Sequence, residues 1–330
     1  MKRDGSMKHK TLLLKFYSIA YLVSVLLLLV SQLFVSGITV DSVPEDYLLK
    51  DDLIKAYRKF KFDIGDRVFP SAVVGKDGWL FYTGEMSLRD YQKIDPLNIS
   101  NIKKLVGVLN QMDAAVQGYG GTLLVIVPPD KSTIYPHYMP DQIPVIGTTT
   151  SLDRLIERTR VYGKYQLLDL RPTLIQAGQS SHLYYKTDTH WNCLGAFYAY
   201  EDVITNLIKI HPELPRYRMN DFNIDFFEVR GLDIARQMGT NIVDTELAFT
   251  PKFEIDGTKE TPGLMVFHDS FYNACLHQFF EATYQDIVPV SYGDVELADM
   301  LEMIEKEKPE TVLVEFAERF MDHFLWHLYE

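Results

Sequence analysis

The chain has 330 residues, 47% of them hydrophobic and 24% charged, with a formal net charge of -12. That apolar fraction is ample for a packed core and excludes wholesale disorder, and the acidic balance lacks the basic face of a nucleic-acid binder. Two cysteines, Cys193 and Cys275, exclude a disulfide-stapled scaffold and a Cys-rich zinc module; buried free thiols are the expectation, with an approach of the two to one another as the alternative. No repeat of about 20 to 50 residues is visible, which excludes solenoids and propellers.

The first 40 residues differ from the rest. Residues 16–40 carry no charged side chain, and Leu22 to Val30 is almost wholly aliphatic. A stretch of roughly 20 such residues crosses a hydrocarbon core of about 30 Å. Lys2, Arg3, Lys8, Lys10 and Lys15 lie before it against the single acid Asp4, whereas Asp41, Glu45 and Asp46 follow it. The positive-inside rule then leaves the N-terminus in the cytoplasm and everything after Val40 outside it. The expectation is a single-pass signal anchor in the cytoplasmic membrane, with the rest of the chain on the periplasmic or extracellular side. A cleaved signal peptide, cut near Ser36-Gly37, is the alternative.

Residues 41–64 read as a polar linker followed by a helix, with Leu48, Leu49, Leu53, Ile54, Tyr57 and Phe60 at helical spacing. Residues 65–330 form the main domain. It opens with two β-prone runs around Gly75-Lys-Asp-Gly78, a hairpin signal rather than a phosphate loop. A helix over Ile102 to Gln117 ends at Gly118 to Gly121. Five short apolar runs follow: Thr122 to Val127, Tyr165 to Leu170, Gly263 to Phe267, Asp286 to Tyr292 and Thr311 to Phe316. Helical segments at 152–162, 194–210, 271–284 and 295–306 separate them. This rhythm predicts an α/β fold with a doubly wound parallel sheet, interrupted by an insertion at about 212–262.

In such sheets function collects beyond the carboxyl ends of the strands. Ser270 follows one run and precedes a helical stretch, where an exposed hydroxyl can act as a nucleophile or merely cap the helix. Asp188-Thr-His190 offers a carboxylate two residues before an imidazole, which extended backbone would present on one face. The carboxylate can hold the ring in the tautomer that takes a proton from serine. His182, Asp188 and His190 have no second ligand cluster at metal-binding spacing, so neither a metal nor a cofactor is expected. Arg319 reads as a cationic oxyanion donor or a structural ion pair. Trp191 and Tyr185 read as packing residues or sugar contacts, and Lys131 as at most a supporting group. The segment Gly231-Leu-Asp233-Ile-Ala reads as a loop-to-helix transition without chemistry of its own.

These strings together resemble a known family. Val127-Pro-Pro-Asp-Lys-Ser-Thr-Ile-Tyr-Pro136, Thr187-Asp-Thr-His-Trp191, His268-Asp-Ser270 and Glu315-Phe-Ala-Glu-Arg-Phe320 are similar to the AlgJ/AlgX-type polysaccharide O-acetyltransferases. Those have a circularly permuted SGNH hydrolase-like domain, and the similarity covers about residues 65–325. It implies a triad of Ser270, His190 and Asp188 that moves acetyl groups onto an exopolysaccharide or cell-wall glycan outside the cytoplasmic membrane. It implies also a multispanning membrane O-acyltransferase as the supplier of acetyl groups. Two departures stand out: His268 replaces a glycine two residues before the serine, and Glu318-Arg319 replaces the Asn-Asp block of the hydrolases. The leading expectation is an extracytoplasmic O-acetyltransferase working through an acetyl-serine. The rivals are a glycan acetylesterase with the same triad, and a non-catalytic glycan-binding assembly subunit.

Overall fold

The computed structural model describes Val23 and residues 50–238, 245–253 and 261–328. The apolar segment expected to anchor the chain lies outside these residues apart from Val23. Among the described residues no helix is long and apolar enough to cross a membrane. The chain divides into a unit of residues 1–60 and a larger unit of residues 61–330. A helix spans Lys50–Asp63.

The larger unit opens with an antiparallel hairpin of β1 (Ala72–Val74) and β2 (Leu80–Tyr82), as the paired glycines predict. Asp77 and Gly78 take positive φ in its tip, the conformation for which glycine is suited. The central sheet uses β3 (Thr122–Ile126), β4 (Gln166–Leu168), β7 (Leu264–His268), β8 (Ile287–Ser291) and β9 (Thr311–Glu315) in the order β4-β3-β9-β7-β8, all parallel. The remaining strands, β5 (Asn223–Arg230) and β6 (Thr245–Lys252), pair antiparallel in a separate ribbon within the insertion.

Near-continuous aliphatic strands form here because both sheet faces are covered. Successive side chains of β3 alternate between two cores: Leu124 and Ile126 enter one, Leu123 and Val125 the other. The first core is closed by the helices Arg171–Gly178, Cys193–Leu207 and His277–Thr283, and the second by Ile99–Gln117, Ser151–Tyr162, Leu297–Glu307 and Met321–His327. Side-chain caps begin several of these helices. Asn98 accepts the Asn101 N–H at 2.9 Å, and Thr150 and Asp153 form a reciprocal capping box. With four parallel crossovers, β3, β9 and β7 direct their carboxyl ends to one edge of the sheet. That edge carries Asp130 and Lys131, Glu318 and Arg319, and Ser270.

Candidate active site

Ser270 lies just beyond β7, exposed at the start of a distorted helix. The helical turn over Tyr272–Leu276 is a π-bulge, with Ala274 and Cys275 off helical dihedrals and Cys275 at φ 80°. Such bulges displace backbone from the regular ladder and recur at functional sites. Here the displaced carbonyl of Ala274, with that of Phe271, accepts the Trp191 indole N–H at 2.9 and 3.1 Å. The residue following the histidine thus ties its loop to the turn that carries the serine.

That loop is closed by a lone antiparallel bridge between Tyr184 and Trp191 and by the Asn192 N–H donating to the Leu183 carbonyl. It is a succession of turns and bends rather than the extended backbone the Asp-x-His spacing suggests. Asp188 nevertheless meets His190. Its Oδ1 accepts Nδ1–H at 2.7 Å and the His190 backbone N–H at 3.0 Å. With the ring proton on Nδ1, Nε2 is an acceptor, and the Ser270 hydroxyl donates to it at 2.8 Å. Burial raises the Asp188 carboxyl, but the His190 hydrogen bonds and the Lys131 charge outweigh it and hold the group at about 2. Asp188 is therefore ionised beside an imidazole that can take the serine proton.

Several supposed substrate contacts turn out to be buried supports. Lys131, 4% exposed, donates Nζ hydrogens to the carbonyls of Tyr185, Lys186 and Asp188 at 3.0, 3.0 and 2.6 Å. Its Nζ lies 5.7 and 5.5 Å from the centroids of the Trp79 and Phe81 rings, and burial lowers the ammonium to about 7 against the pull of Asp188, Glu246 and Asp233. Trp191, 1% exposed, has no face for a sugar because its ring packs edge-on against Phe271. Arg319 is 3% exposed, paired with Asp130 at 2.9 Å and seated 5.0 Å from the Phe271 ring. It is an internal ion pair and not a free oxyanion donor. Tyr185 is half-buried; its carbonyl serves Lys131, and burial lifts its phenol to about 12. His268 is spent inward too, its ring on Tyr272 and its Nδ1 on the Asp269 carbonyl.

Sequence reasoning missed the acids beneath the site. Glu318 is fully buried, accepts the Asp130 N–H at 3.0 Å and the Thr133 hydroxyl at 2.7 Å, and is pushed up to about 8 by burial and the Asp130 and Asp90 charges. Glu315, raised well above its usual range by burial and the Asp269 charge, accepts the Asp269 N–H at 3.0 Å. Asp269 in turn accepts the N–H of Phe271 and of Ala317, both at 2.7 Å. The ends of β3, β9 and β7 are stitched together in this way under Ser270.

Of the two states open to the cysteines, the structure has the paired one rather than the expected free thiols: Cys193 and Cys275 form a disulfide with Cα atoms 5.2 Å apart. It joins the helix after His190 to the bulge after Ser270. The insertion is no passive segment either. Glu246 on β6 accepts the Thr187 N–H and hydroxyl at 3.1 and 2.6 Å and the Lys186 N–H, while Asp233 accepts the Thr189 N–H and hydroxyl at 2.8 and 2.6 Å. Asp188, His190 and Asp233 bring possible metal-ligand atoms within 4.8 Å of one another. Protein hydrogens already occupy them, since Nδ1–H serves Asp188 and both Asp233 oxygens serve Thr189, and this does not fit a resident ion. Beside Arg319 a cavity of about 500 Å³ opens, lined among others by Glu85, Arg89, Asn101, His323 and Trp326.

Residues 72–228 match the family model of the SGNH hydrolase-like domain of the acetyltransferase AlgX. This stretch is similar to that acetyltransferase domain. It is 30% identical over 128 residues to the probable alginate O-acetylase AlgJ of Pseudomonas aeruginosa, a match covering 38% of this chain and 30% of that relative's length. The fold is similar to that of Bacillus cereus PatB1 solved with a sulfonyl adduct (TM-score 0.58, 12% identity, 77% of this chain and 99% of the other). It is similar also to the O-acetyltransferase domain of Pseudomonas putida AlgJ (TM-score 0.50, 18% identity, 76% and 92%). At these identities the two structures speak for the AlgJ/AlgX-like fold alone.

Proposed function

We propose that this protein is an O-acetyltransferase that acylates hydroxyls of an extracytoplasmic polysaccharide through a covalent acetyl-serine. The observation that carries the reading is the continuous hydrogen-bonded line from Ser270 Oγ through His190 to Asp188, within a domain similar to that of an acetyltransferase. Ser270 Oγ attacks the acetyl carbonyl of the donor while His190 Nε2 takes its proton. The tetrahedral adduct collapses, the donor's leaving oxygen takes that proton from His190, and acetyl-Ser270 remains. A sugar hydroxyl then attacks the ester carbonyl, gives its proton to His190 and departs acetylated. His190 returns the proton to the Ser270 oxygen. Asp188 holds the ring throughout and stabilises the imidazolium.

The order of parts, with the histidine before the serine in the chain, supports a circularly permuted SGNH domain. The charge asymmetry around residues 16–40 supports an anchored, extracytoplasmic domain, as does the disulfide, since such bonds persist in oxidising compartments. On this reading a multispanning membrane O-acyltransferase supplies the acetyl group, and alginate acetylation, named for the Pseudomonas aeruginosa relative, exemplifies the type of acceptor. A chromogenic acetyl ester should give a burst and one added acetyl by intact mass, and an oligosaccharide acceptor should become acetylated. Hydrolysis unaffected by any acceptor would favour an esterase, and no acyl-enzyme at all would sink the enzymatic reading. A C-terminal reporter active only in the cytoplasm would refute the topology.

A further inference from the structure

The insertion delivers a second carboxylate to the histidine. Asp233 opens the short helix Asp233–Met238 between the two ribbon strands, and its Oδ2 stands 3.9 Å from His190 Nδ1. Between them lies the Thr189 hydroxyl, which donates to Asp233 Oδ2 at 2.6 Å and lies 3.1 Å from Nδ1. Since that hydroxyl's hydrogen is committed to Asp233, it meets the ring with a lone pair. The Nδ1–H is then shared between Asp188 Oδ1 and Thr189 Oγ1, which fixes the tautomer from two directions. The Asp233 Oδ1 also holds the Thr189 backbone N–H, and the Ile234 N–H donates to the Thr187 carbonyl. The placement is therefore built into the contact between insertion and loop.

We propose that Asp233 is a positioning residue for His190, acting through the Thr189 hydroxyl to hold the ring and stabilise its protonated form alongside Asp188. This rests on His190 being the base. Among the described residues the groups facing the imidazole are Asp188 on its own loop, Asp233 from the insertion, Ser270 on Nε2, and the Phe271 ring at 5.0 Å, against which the Arg319 guanidinium also packs. Lys131 lies behind the Asp188 carbonyl and Glu246 beneath Thr187, each bound to the loop rather than to the ring. Of the two carboxylates near Nδ1, Asp233 is the one that burial and the neighbouring Asp188 charge raise above the usual range. It remains an acceptor of two Thr189 hydrogens, the role of an ionised group.

The test is the pH dependence of acyl-enzyme formation from a chromogenic acetyl ester by the purified protein, whose acid limb reports loss of the free imidazole. Asp233→Asn keeps a carbonyl for Thr189 but removes the charge. The acid limb should move down by roughly 0.5 to 1 pH unit, with the rate falling about 10-fold and KM for the ester unchanged. Asp233→Glu should return the limb to its wild-type position. Thr189→Val should slow the reaction with both carboxylates present. An Asp233→Asn variant whose limb stays in place, whatever its melting temperature, overturns the proposal and leaves Asp233 as a structural clamp. Should that variant not fold, a Thr189→Val enzyme with the full wild-type rate overturns it equally. Loss of activity in Ser270→Ala and His190→Ala, with no such shift in Asp233→Asn, would refute this role while preserving the triad. An active Ser270→Ala would remove the triad itself.

Discussion

Cys193 and Cys275 lie 82 residues apart in sequence and are bonded to each other across the site, one three residues past His190 and the other five past Ser270. The bond closes the 82-residue segment between the two cysteines, and Cys275 has positive φ at the point of closure. The unfolded chain loses that freedom, so the native state is favoured by roughly 2–4 kcal/mol. Reducing the bond, or replacing both cysteines with serine, should lower the melting temperature by several degrees. It should also lengthen the Ser270–His190 distance enough to cut acyl-enzyme formation more than about 10-fold. A reduced protein with unchanged melting and unchanged rate would show that Trp191 alone keeps the two turns together.

Burial of Glu318 gives the fold a pH signature. Its folded-state value of about 8 lies above the ordinary 4.5, so the native state binds the proton more tightly than the unfolded chain. The resulting stability is complete below about pH 4.5 and is lost as pH rises through 8. Glu318→Gln keeps an acceptor for the Asp130 N–H and Thr133 and cannot ionise. Its stability relative to the wild type should therefore grow between pH 5 and 8, by as much as a few kcal/mol, and then level off. Urea unfolding at three pH values in that window measures it. A constant difference would place the proton elsewhere.

Much of the sheet was legible because parallel strands buried on both faces leave runs such as Thr311-Val-Leu-Val-Glu315, whose alternate side chains feed two cores. The serine and the Asp-x-His string were legible because catalytic groups gather beyond strand ends. What lay hidden depends on contacts that sequence spacing does not encode. Asp233 reaches the histidine through a backbone N–H and a hydroxyl 44 residues away. Lys131 reads as a supporting group in the loop after two prolines, but its spacing does not name the three carbonyls that claim it. Arg319 could be offered as an oxyanion donor only while its partner, Asp130 on another strand end, was out of view.

Lys131 is the support whose removal should separate positioning from chemistry. Lys131→Met matches its stem but leaves the carbonyls of Tyr185, Lys186 and Asp188 without their donor, at a cost of about 3 kcal/mol or more. A variant that survives should fold with a displaced Asp188–His190 turn. Its rate of acylation should fall on the order of 100-fold, with the ester KM barely changed. Because Nζ touches carbonyls and not the reacting atoms, added alkylamine should restore little. Full rescue by amine, or a wild-type rate, would mean that the lysine acts in the reaction itself.

The decisive prediction concerns Ser270, the exposed end of the hydrogen-bonded line. Among the described residues its hydroxyl makes one side-chain hydrogen bond, to His190, so Ser270→Ala should leave the folding stability within about 1 kcal/mol of the wild type. Acyl-enzyme formation should nevertheless fall on the order of a million-fold or below detection, because the variant lacks the oxygen that attacks. His190→Ala should fall nearly as far, and the double variant no further, since nucleophile and base act as one unit. Asp188→Asn should lose less, on the order of a thousand-fold to ten-thousand-fold, because it turns the imidazole's tautomer while leaving the attacking group in place. Intact mass after brief exposure to an acetyl ester should show one added acetyl on the wild type and none on Ser270→Ala. An acetyl found on the alanine variant would put the nucleophile elsewhere, and peptide mapping would then name it. An unmodified wild type would instead mean that the line of three side chains forms no covalent intermediate with such esters.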